Sequence, residues 1–231
     1  MSGERLTIKT PDGDFSAYVA RPASTPAPVI VVIQEIFGVN QVMRDITDAF
    51  AAQGYIAVCP DLFWRIEPNI DITDQSEAEW KRAFELFNAF DVEKGIEDIA
   101  ATIDQVRGIE GSTGKVGAVG YCLGGRLAYL TATRTDVDAA VGYYGVGIEN
   151  YLAEAEKLAQ PLMLHIAAED GFVPKEAQAL IHQELDNHIQ IEIHDYPGCD
   201  HAFARHGGDH YDAAAAELAN ARTAAFFKAN L

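Results

Sequence analysis

The 231-residue sequence is short of cysteine and has no apolar run long enough to cross a membrane. Its three cysteines, Cys59, Cys122 and Cys199, are an odd number without close-paired spacing, which argues against a disulfide framework and favours a reducing compartment. No apolar stretch approaches the roughly 20 residues that span a bilayer, and the first residues do not resemble a signal peptide. We therefore expect a cytoplasmic protein without a membrane partner.

Positive charge is also scarce. The chain has 17 Lys and Arg residues against 35 Asp and Glu residues, which gives a formal net charge of -18. Such a surface would repel a polyphosphate backbone, so we expect no nucleic-acid partner. The same field would repel a small anionic substrate unless arginines gather at the site. Arginines near candidate catalytic residues are therefore informative, whereas the overall charge is explained by solubility.

What the chain does have is a regular alternation of strand and helix patterns. Apolar, β-branched runs predict strands over residues 6–9, 15–20, 29–33, 57–59, 116–120, 139–143, 162–167 and 189–196. Helical patterns cover residues 40–54, 77–87, 92–106, 126–133, 175–185 and 211–228. This alternation predicts an α/β fold with a mostly parallel twisted sheet of about eight strands and helices on both faces.

Two further features concern the organisation of the chain. The short turn TPDGD predicts that the first two strands form an antiparallel hairpin. The length of the chain, with no internal repeat and no low-complexity segment, predicts a single domain over residues 1–231.

The sequence Gly120-Tyr121-Cys122-Leu123-Gly124 places a thiol on a sharp turn between a predicted strand and a predicted helix. It has the spacing of the motif G-x-S-x-G, with cysteine in place of serine, in which glycines let the chain bend closely around a nucleophile. The N-terminus of the following helix would favour a thiolate and later an oxyanion. Because five-residue motifs recur by chance, the motif alone leaves open that Cys122 is a small core residue.

An acid and a base follow in the order that this motif requires, each after a later strand. Asp170 follows the apolar strand at 162–167, and His201 lies a few residues after the strand at 189–196. Alone, Asp170 could be a turn residue before glycine, and His201 could be a surface histidine. Together, their order and their positions after strands predict a catalytic triad of Cys122, Asp170 and His201.

Six blocks of the sequence extend the pattern beyond the triad: PVIVVIQEIFGVN, GYIAVCPDL, KVGAVGYCLGG, AVGYYGVG, EDGFVP and GCDHAFAR. Together they resemble the dienelactone hydrolase (carboxymethylenebutenolidase) family of the α/β-hydrolase fold. The resemblance implies a carboxylic ester hydrolase that opens enol-lactones during bacterial degradation of aromatic compounds. The reaction would be of the dienelactone to maleylacetate type and would pass through a thioester. The resemblance also implies that no metal and no organic cofactor takes part.

The same resemblance assigns roles around the thiol. Glu35, in QEIFG, matches the glutamate that contacts the nucleophilic thiol and helps to generate thiolate when substrate arrives. The backbone N–H groups of Ile36 and Leu123 match the two donors of the oxyanion hole. Their positions agree with general chemistry, because one residue follows the nucleophile and the other lies after an earlier strand.

Substrate contacts are implied as well. Arg205 matches an arginine that binds the lactone carboxylate, and Tyr144 matches a tyrosine that lines that pocket. The chain departs from the family at two positions: Trp80 replaces a second carboxylate-binding arginine, and Ala202 replaces a serine after the triad histidine. Trp80 suggests a larger, more apolar or aromatic substrate. The alternative function is therefore a broader carboxylesterase acting on bulkier or aromatic esters or lactones.

The segment CDHAFARHGGDH could also suggest a metal site. Its double glycine argues against a helix that would place His206 and His210 on one face, so we expect no metal ligand there. A non-catalytic binding protein is the remaining alternative, and the complete triad disfavours it. For the assembly we expect a monomer or a weak homo-oligomer with a small-molecule lactone or ester as substrate.

Overall fold

The computed structural model describes residues 3–231, so Met1 and Ser2 of the predicted domain lie outside the described residues. The strands are β1 (Glu4–Thr10), β2 (Gly13–Ala20), β3 (Ala27–Ile33), β4 (Ile56–Pro60), β5 (Ser112–Tyr121), β6 (Ala139–Tyr143), β7 (Leu162–Ala167) and β8 (Ile191–Tyr196). The α-helices are α1 (Gln41–Ala52), α2 (Glu77–Ala89), α3 (Val92–Arg107), α4 (Leu123–Arg134), α5 (Lys175–Leu185) and α6 (Ala213–Asn230). A 3₁₀ segment covers Ile148–Lys157.

Each predicted strand and helix overlaps an observed element, and the strands belong to one mostly parallel sheet. The predicted fold class is therefore confirmed. The largest difference at a helix end is that α4 begins at Leu123, three residues before the predicted start. The 3₁₀ segment was not predicted from the sequence. Over residues 3–231, no helix combines the length and the apolar character that crossing a membrane requires.

The chain divides into two compact units, one ending at Ala118 and the other covering Val119–Leu231. In the first unit the strands lie in the order β1-β2-β4-β3. The first two strands pair antiparallel from Glu4 opposite Val19 to Thr10 opposite Gly13, which confirms the predicted hairpin. The single-domain interpretation of residues 1–231 stays a prediction.

Strand β3 has the sequence APVIVVI, and its last five residues, from Val29 to Ile33, are all buried. Such a continuous apolar run is typical of a parallel strand buried on both faces, and β3 does pair parallel with β4. Helix α1, which packs against both strands, begins after Asn40. The side chain of Asn40 accepts the N–H of Met43 at 3.1 Å, as expected for a residue that caps a helix.

In the second unit, β6, β7 and β8 are adjacent and parallel. Tyr143 lies opposite His165, and Ala167 lies opposite Tyr196. The carboxyl ends of these strands therefore meet at one edge of the sheet, where ligands of open α/β sheets bind. The chain continues from these ends into the loops that carry Tyr144, Asp170 and His201.

Candidate active site

Cys122 lies on the turn between β5 and α4, as the sequence predicted. Its backbone has φ 58° and ψ -114°, a conformation that residues other than glycine rarely adopt. The turn is fixed by its own backbone, because Cys122 N–H donates to the carbonyl of Tyr143 at 3.1 Å and the Cys122 carbonyl accepts from Gly125 at 3.0 Å. Strained backbone that its surroundings hold in place is a common property of catalytic residues.

Glycine is required on both sides of this turn. A Cβ atom on Gly120 would lie 1.8 Å from the carbonyl oxygen of Gly124, and one on Gly125 would lie 2.4 Å from that of Tyr143. Both obstacles are backbone atoms, which cannot rotate away as a side chain could. The glycines therefore allow strand and helix to approach closely enough for the sharp turn at Cys122.

Gly120→Ala is accordingly expected to destabilise the protein strongly. The new methyl group would force the backbone apart, and overpacking of this kind costs about 1–3 kcal/mol or more. Thermal unfolding would measure the loss. Gly108→Ala is a suitable control, because the closest atom to its Cβ is a carbonyl oxygen 4.0 Å away. Equal melting temperatures for the two variants would contradict the requirement for glycine at position 120.

Helix α4 begins immediately after Cys122, with Leu123 as its first residue. The first N–H groups of an α-helix have no partner within the helix, and the helix dipole places partial positive charge at this end. A thiolate on Cys122 therefore lies where negative charge is stabilised. Cys122 is 8% exposed and Leu123 is fully buried, so this field acts in a mostly dry environment.

Asp170 and His201 are joined by a hydrogen bond in the same unit. His201 Nδ1 donates to Asp170 Oδ2 at 2.8 Å, and both side chains are buried. The other carboxylate oxygen of Asp170 accepts the N–H groups of Phe172 at 2.8 Å and Val173 at 3.2 Å. The carboxylate is thus fixed by three donors, and it in turn fixes the tautomer and orientation of the imidazole.

The environment of His201 also couples it to the thiol. Burial alone would lower the pKa of His201. The negative charge of Cys122 and the hydrogen bond to Asp170 outweigh burial and raise this pKa to about 10. A thiolate on Cys122 therefore favours a protonated imidazole beside it. The three residues of the predicted triad are brought together in the second unit.

Two aromatic rings pack edge-on against the imidazole. The ring centre of Tyr144 lies 5.1 Å from that of His201, and the ring centre of Phe172 lies 4.9 Å from it. Tyr144 is buried and has φ 38°, so its backbone is also in the left-handed region. Phe172 is 45% exposed. It was not singled out from the sequence, although it lies within the block EDGFVP.

Arg205 and Ala202 follow His201 in the loop after β8. The Arg205 N–H donates to the carbonyl of Ala202 at 2.9 Å, and Ala202 has φ 62°. Arg205 is half-buried, and a Cβ atom on Gly208 would lie 3.0 Å from its Nε atom. Its guanidinium group therefore lies close to the backbone of its own loop.

The remaining predicted residues belong to the first unit. Glu35 and Ile36 are buried in the loop that follows β3. Trp80, in α2, donates its indole N–H to the carbonyl of Asp74 at 2.9 Å. Its ring stacks on Phe84 with the ring centres 5.6 Å apart and meets Phe37 edge-on at 5.2 Å. Position 80 thus contributes an aromatic cluster where an arginine would contribute charge.

Known proteins are similar to this chain over most of its length. A family model described as the dienelactone hydrolase family matches residues 15–231. A "Putative carboxymethylenebutenolidase" of Azospirillum brasilense is 53% identical over 222 residues, which cover 95% of each chain. The carboxymethylenebutenolidase of Pseudomonas putida is 44% identical over 96% of this chain and 94% of its own. The chain belongs to the dienelactone hydrolase family.

A solved structure of a dienelactone hydrolase has the same fold as this chain. The crystal structure of a "Putative Dienelactone Hydrolase" from Klebsiella pneumoniae has a TM-score of 0.85 at 27% identity and covers 98% of each chain. The chain therefore has the α/β-hydrolase fold, and it is a hydrolase that acts on esters or lactones of small-molecule size.

The other cysteines have surroundings unlike that of Cys122. Cys59 is fully buried in β4, and burial raises the pKa of its thiol far above the usual range. Burial likewise raises the pKa of Cys199, whose carbonyl accepts the N–H of Glu169 at 2.8 Å. Both thiols therefore stay protonated and unreactive at neutral pH. Within residues 3–231, no group of three or more His, Cys, Asp or Glu side chains has the arrangement of a metal site.

Proposed function

We propose that this dienelactone hydrolase family member opens enol-lactones by acyl transfer to Cys122, with His201 as the base and Asp170 as the acid that orients it. The observation that supports this most directly is the buried Asp170–His201 hydrogen bond of 2.8 Å, together with the charge coupling of His201 to Cys122. The names of the relatives point to the same substrate class.

The first half-reaction is attack of the thiolate on the lactone carbonyl. A bond forms between Sγ and the carbonyl carbon, and the oxyanion accepts hydrogen bonds from the N–H groups of Leu123 and Ile36 in this proposal. The C–O bond of the ring then breaks, and the enolate that forms stays attached to the acyl group on Cys122. A delocalised enolate needs little protonation to leave, so the reaction suits a thiolate, which is itself a good leaving group.

The second half-reaction is hydrolysis of the thioester. When Cys122 is acylated, its negative charge is gone, and with it the main cause that raises the pKa of His201. The pKa of His201 then falls, because burial now acts against the charged form. Protonated His201 gives its proton to the enolate, and the neutral imidazole then accepts a proton from water. The water oxygen bonds to the thioester carbon, the C–S bond breaks, and Cys122 leaves as a thiolate beside protonated His201.

In this proposal Glu35 controls formation of the thiolate. The residues that contact substrate are Arg205 and Tyr144. Glu35 has the burial expected of such a carboxylate, with 2% of its surface exposed. Arg205 is the candidate partner for the lactone carboxylate. Tyr144 already packs on the imidazole of His201, which supports a place beside the substrate.

A broader carboxylesterase is the second candidate, and the cluster of Trp80, Phe37 and Phe84 favours it. Phe84 is 40% exposed, so this cluster offers an aromatic surface. Aromatic side chains stack with aromatic ligands and would accommodate a bulky ester better than a second arginine would.

The decisive experiment compares kcat/KM for a carboxylate-bearing enol-lactone, an uncharged aryl ester and a peptide. Faster turnover of the enol-lactone by at least about tenfold, equivalent to 1.4 kcal/mol, would support the first proposal. The reverse preference would support the carboxylesterase. Failure of the folded protein to hydrolyse any of the three would contradict both.

Arg205→Ala is expected to raise KM for the enol-lactone without a similar effect on the aryl ester. Losing a charge-assisted hydrogen bond costs about 1.5–3 kcal/mol, which corresponds to roughly a 10- to 150-fold increase. Lys228→Ala, at an exposed position of α6, is the control for loss of positive charge in Arg205→Ala.

Trp80→Arg should shift kcat/KM in favour of the lactone, because it adds positive charge and removes an aromatic surface. An unchanged ratio in Trp80→Arg would show that position 80 has no part in selecting substrate.

We further propose that the enzyme works in the cytoplasm as a monomer or weak homo-oligomer, without nucleic-acid, membrane or cofactor partners. The three free, buried cysteines fit a reducing compartment. The net charge of -18 fits the absence of a nucleic-acid partner. Size-exclusion chromatography with light scattering would measure the oligomeric state.

A further inference from the structure

We propose that Asp200 and His210 hold the backbone of His201 from both sides and thereby position its imidazole for catalysis. We call these two residues the His201 brace. The proposal rests on the proposed function of His201 as the base. Asp200 and His210 belong to the segment CDHAFARHGGDH, which the catalytic triad leaves unexplained apart from His201.

Asp200 connects the two loops that carry the acid and the base. Its Oδ1 atom accepts the N–H of His201 at 2.6 Å and the N–H of Gly171 at 3.1 Å. Gly171 directly follows the triad acid Asp170 in sequence. One carboxylate oxygen therefore ties the neighbour of the acid to the base itself. These backbone donors outweigh burial and lower the pKa of Asp200, so it is ionised at neutral pH.

His210 contacts the other polar group of the His201 backbone. Its Nδ1 atom donates to the His201 carbonyl at 3.1 Å. Its Nε2 atom lies 3.7 Å from Oδ2 of Asp200, so a protonated His210 also attracts the Asp200 carboxylate. The N–H and the carbonyl of His201 are thus each bonded to a different side chain of the brace.

The loop around His201 needs such support. It follows the end of β8 and contains two residues with left-handed backbone, Gly198 with φ 78° and Ala202 with φ 62°. Asp170 and the aromatic rings orient the imidazole, but they do not bond to the backbone of His201. Without the brace the loop can shift, and a displacement of about 1 Å at a catalytic group can cost about 100-fold in rate.

The components of the brace are not equally important. One oxygen of Asp200 accepts backbone N–H groups from both loops, and an amide oxygen in the same place could accept both as well. The ion pair between Asp200 and His210 involves side chains that are 41% and 50% exposed, and such exposed pairs contribute little. The ability of Asp200 to accept two N–H groups should therefore matter more than its charge.

The test compares Asp200→Ala, Asp200→Asn and His210→Ala, with Asp209→Ala as the control. Asp209 is an exposed acid in the same loop, so its removal changes the charge without touching the brace. We expect Asp200→Ala to lower kcat about 10- to 100-fold with KM within about threefold, because it frees the base but not the substrate site. Asp200→Asn keeps an acceptor oxygen and should restore most of kcat. His210→Ala should have an intermediate effect, and Asp209→Ala none.

A second measurement separates this proposal from the proposed function. The rate at which iodoacetamide alkylates Cys122, measured against pH in a variant that lacks the other two cysteines, reports how His201 affects the thiol without any substrate. If the brace positions His201, the pH dependence of Cys122 alkylation changes in Asp200→Ala. The pH dependence in Asp209→Ala should be that of the wild type. If the wild type hydrolysed no ester or lactone, the proposed function would fail while this profile still tested the brace.

Two results would overturn the brace. One is a folded Asp200→Ala variant with wild-type kcat and a wild-type alkylation profile. The other is an Asp200→Asn variant as impaired as Asp200→Ala, since retention of the acceptor would then have no value. If Asp200→Ala does not fold, His210→Ala decides the question through the same two measurements, because its exposed side chain can be removed with little loss of packing.

Discussion

Cys122→Ala is expected to lower kcat for lactone or ester hydrolysis by about four orders of magnitude or more, because the loss of a triad nucleophile removes the covalent route. The fold should persist. The turn at Cys122 is determined by Gly120 and Gly125, and alanine is smaller than the cysteine it replaces. Steady-state kinetics and thermal unfolding of the same preparation would measure both effects.

The same variant gives a readout that does not depend on substrate. In the wild type, burial lowers the pKa of His201, and Cys122 and Asp170 together raise it to about 10. Removal of the thiol leaves only Asp170 to oppose burial, so the pKa of His201 should fall. An NMR titration of the imidazole would detect this change. A pKa that stayed near 10 in Cys122→Ala would contradict the coupling between thiolate and imidazole.

Cys59→Ala and Cys199→Ala are the matched controls. Both thiols are buried, and burial raises the pKa of each, so neither is expected to act as a nucleophile. Turnover should stay within about tenfold of the wild type in each variant. A loss as large as that of Cys122→Ala in either control would show that the thiol assignment is wrong.

The turn that carries the thiol was predictable because its requirements are local. Gly120 and Gly124 flank Cys122 at a spacing typical of a strand, a sharp turn and a helix, and the structure confirms all three. The start of the helix was less predictable. Leu123, Gly124 and Gly125 show no helical pattern of their own, and glycine disfavours a helix. Gly125 nevertheless lies in the first turn, where it packs closely against the backbone of Tyr143 and Gly145.

The buried face of α1 shows how tertiary contacts override an apolar pattern. Within residues 40–54, the apolar residues Val42, Ile46, Ala49 and Phe50 have helical spacing and predict one buried face. The buried residues are Met43, Thr47, Phe50 and Ala51. Thr47 can be buried because its hydroxyl donates to the carbonyl of Met43 at 2.7 Å within the helix. A polar residue with an internal partner is thus mistaken for a surface residue when only hydrophobicity is considered.

The His201 brace could not be predicted from the sequence for a different reason. From the sequence, His210 is considered only as part of a segment that could suggest a metal site, and Asp200 has no assigned role. Their contacts with His201 depend on the direction of each side chain, which the residue types alone do not give. Hydrogen bonds between separate loops, such as that from Gly171 to Asp200, leave no periodic signal in the sequence.

Asp170→Asn is expected to lower kcat by about four orders of magnitude while the protein stays folded. The asparagine oxygen can still accept the N–H groups of Phe172 and Val173, which Asp170 Oδ1 accepts at 2.8 and 3.2 Å. The amide nitrogen must then face Nδ1 of His201. Because that nitrogen is a donor, Nδ1 becomes the acceptor, and the imidazole proton moves to Nε2. An imidazole in this tautomer cannot accept a proton at Nε2 from water.

Nitrogen NMR of the His201 ring would identify the tautomer, and steady-state kinetics would measure the loss. Asp209→Asn, which makes the same change at an exposed position of the loop after β8, is the control and should keep wild-type activity. The pKa of His201 should also fall in Asp170→Asn, because the hydrogen bond to Asp170 is one of the causes that raise it. If a folded Asp170→Asn variant kept kcat within about tenfold of the wild type, Asp170 would not be the residue that orients the base, and the proposed triad would be wrong.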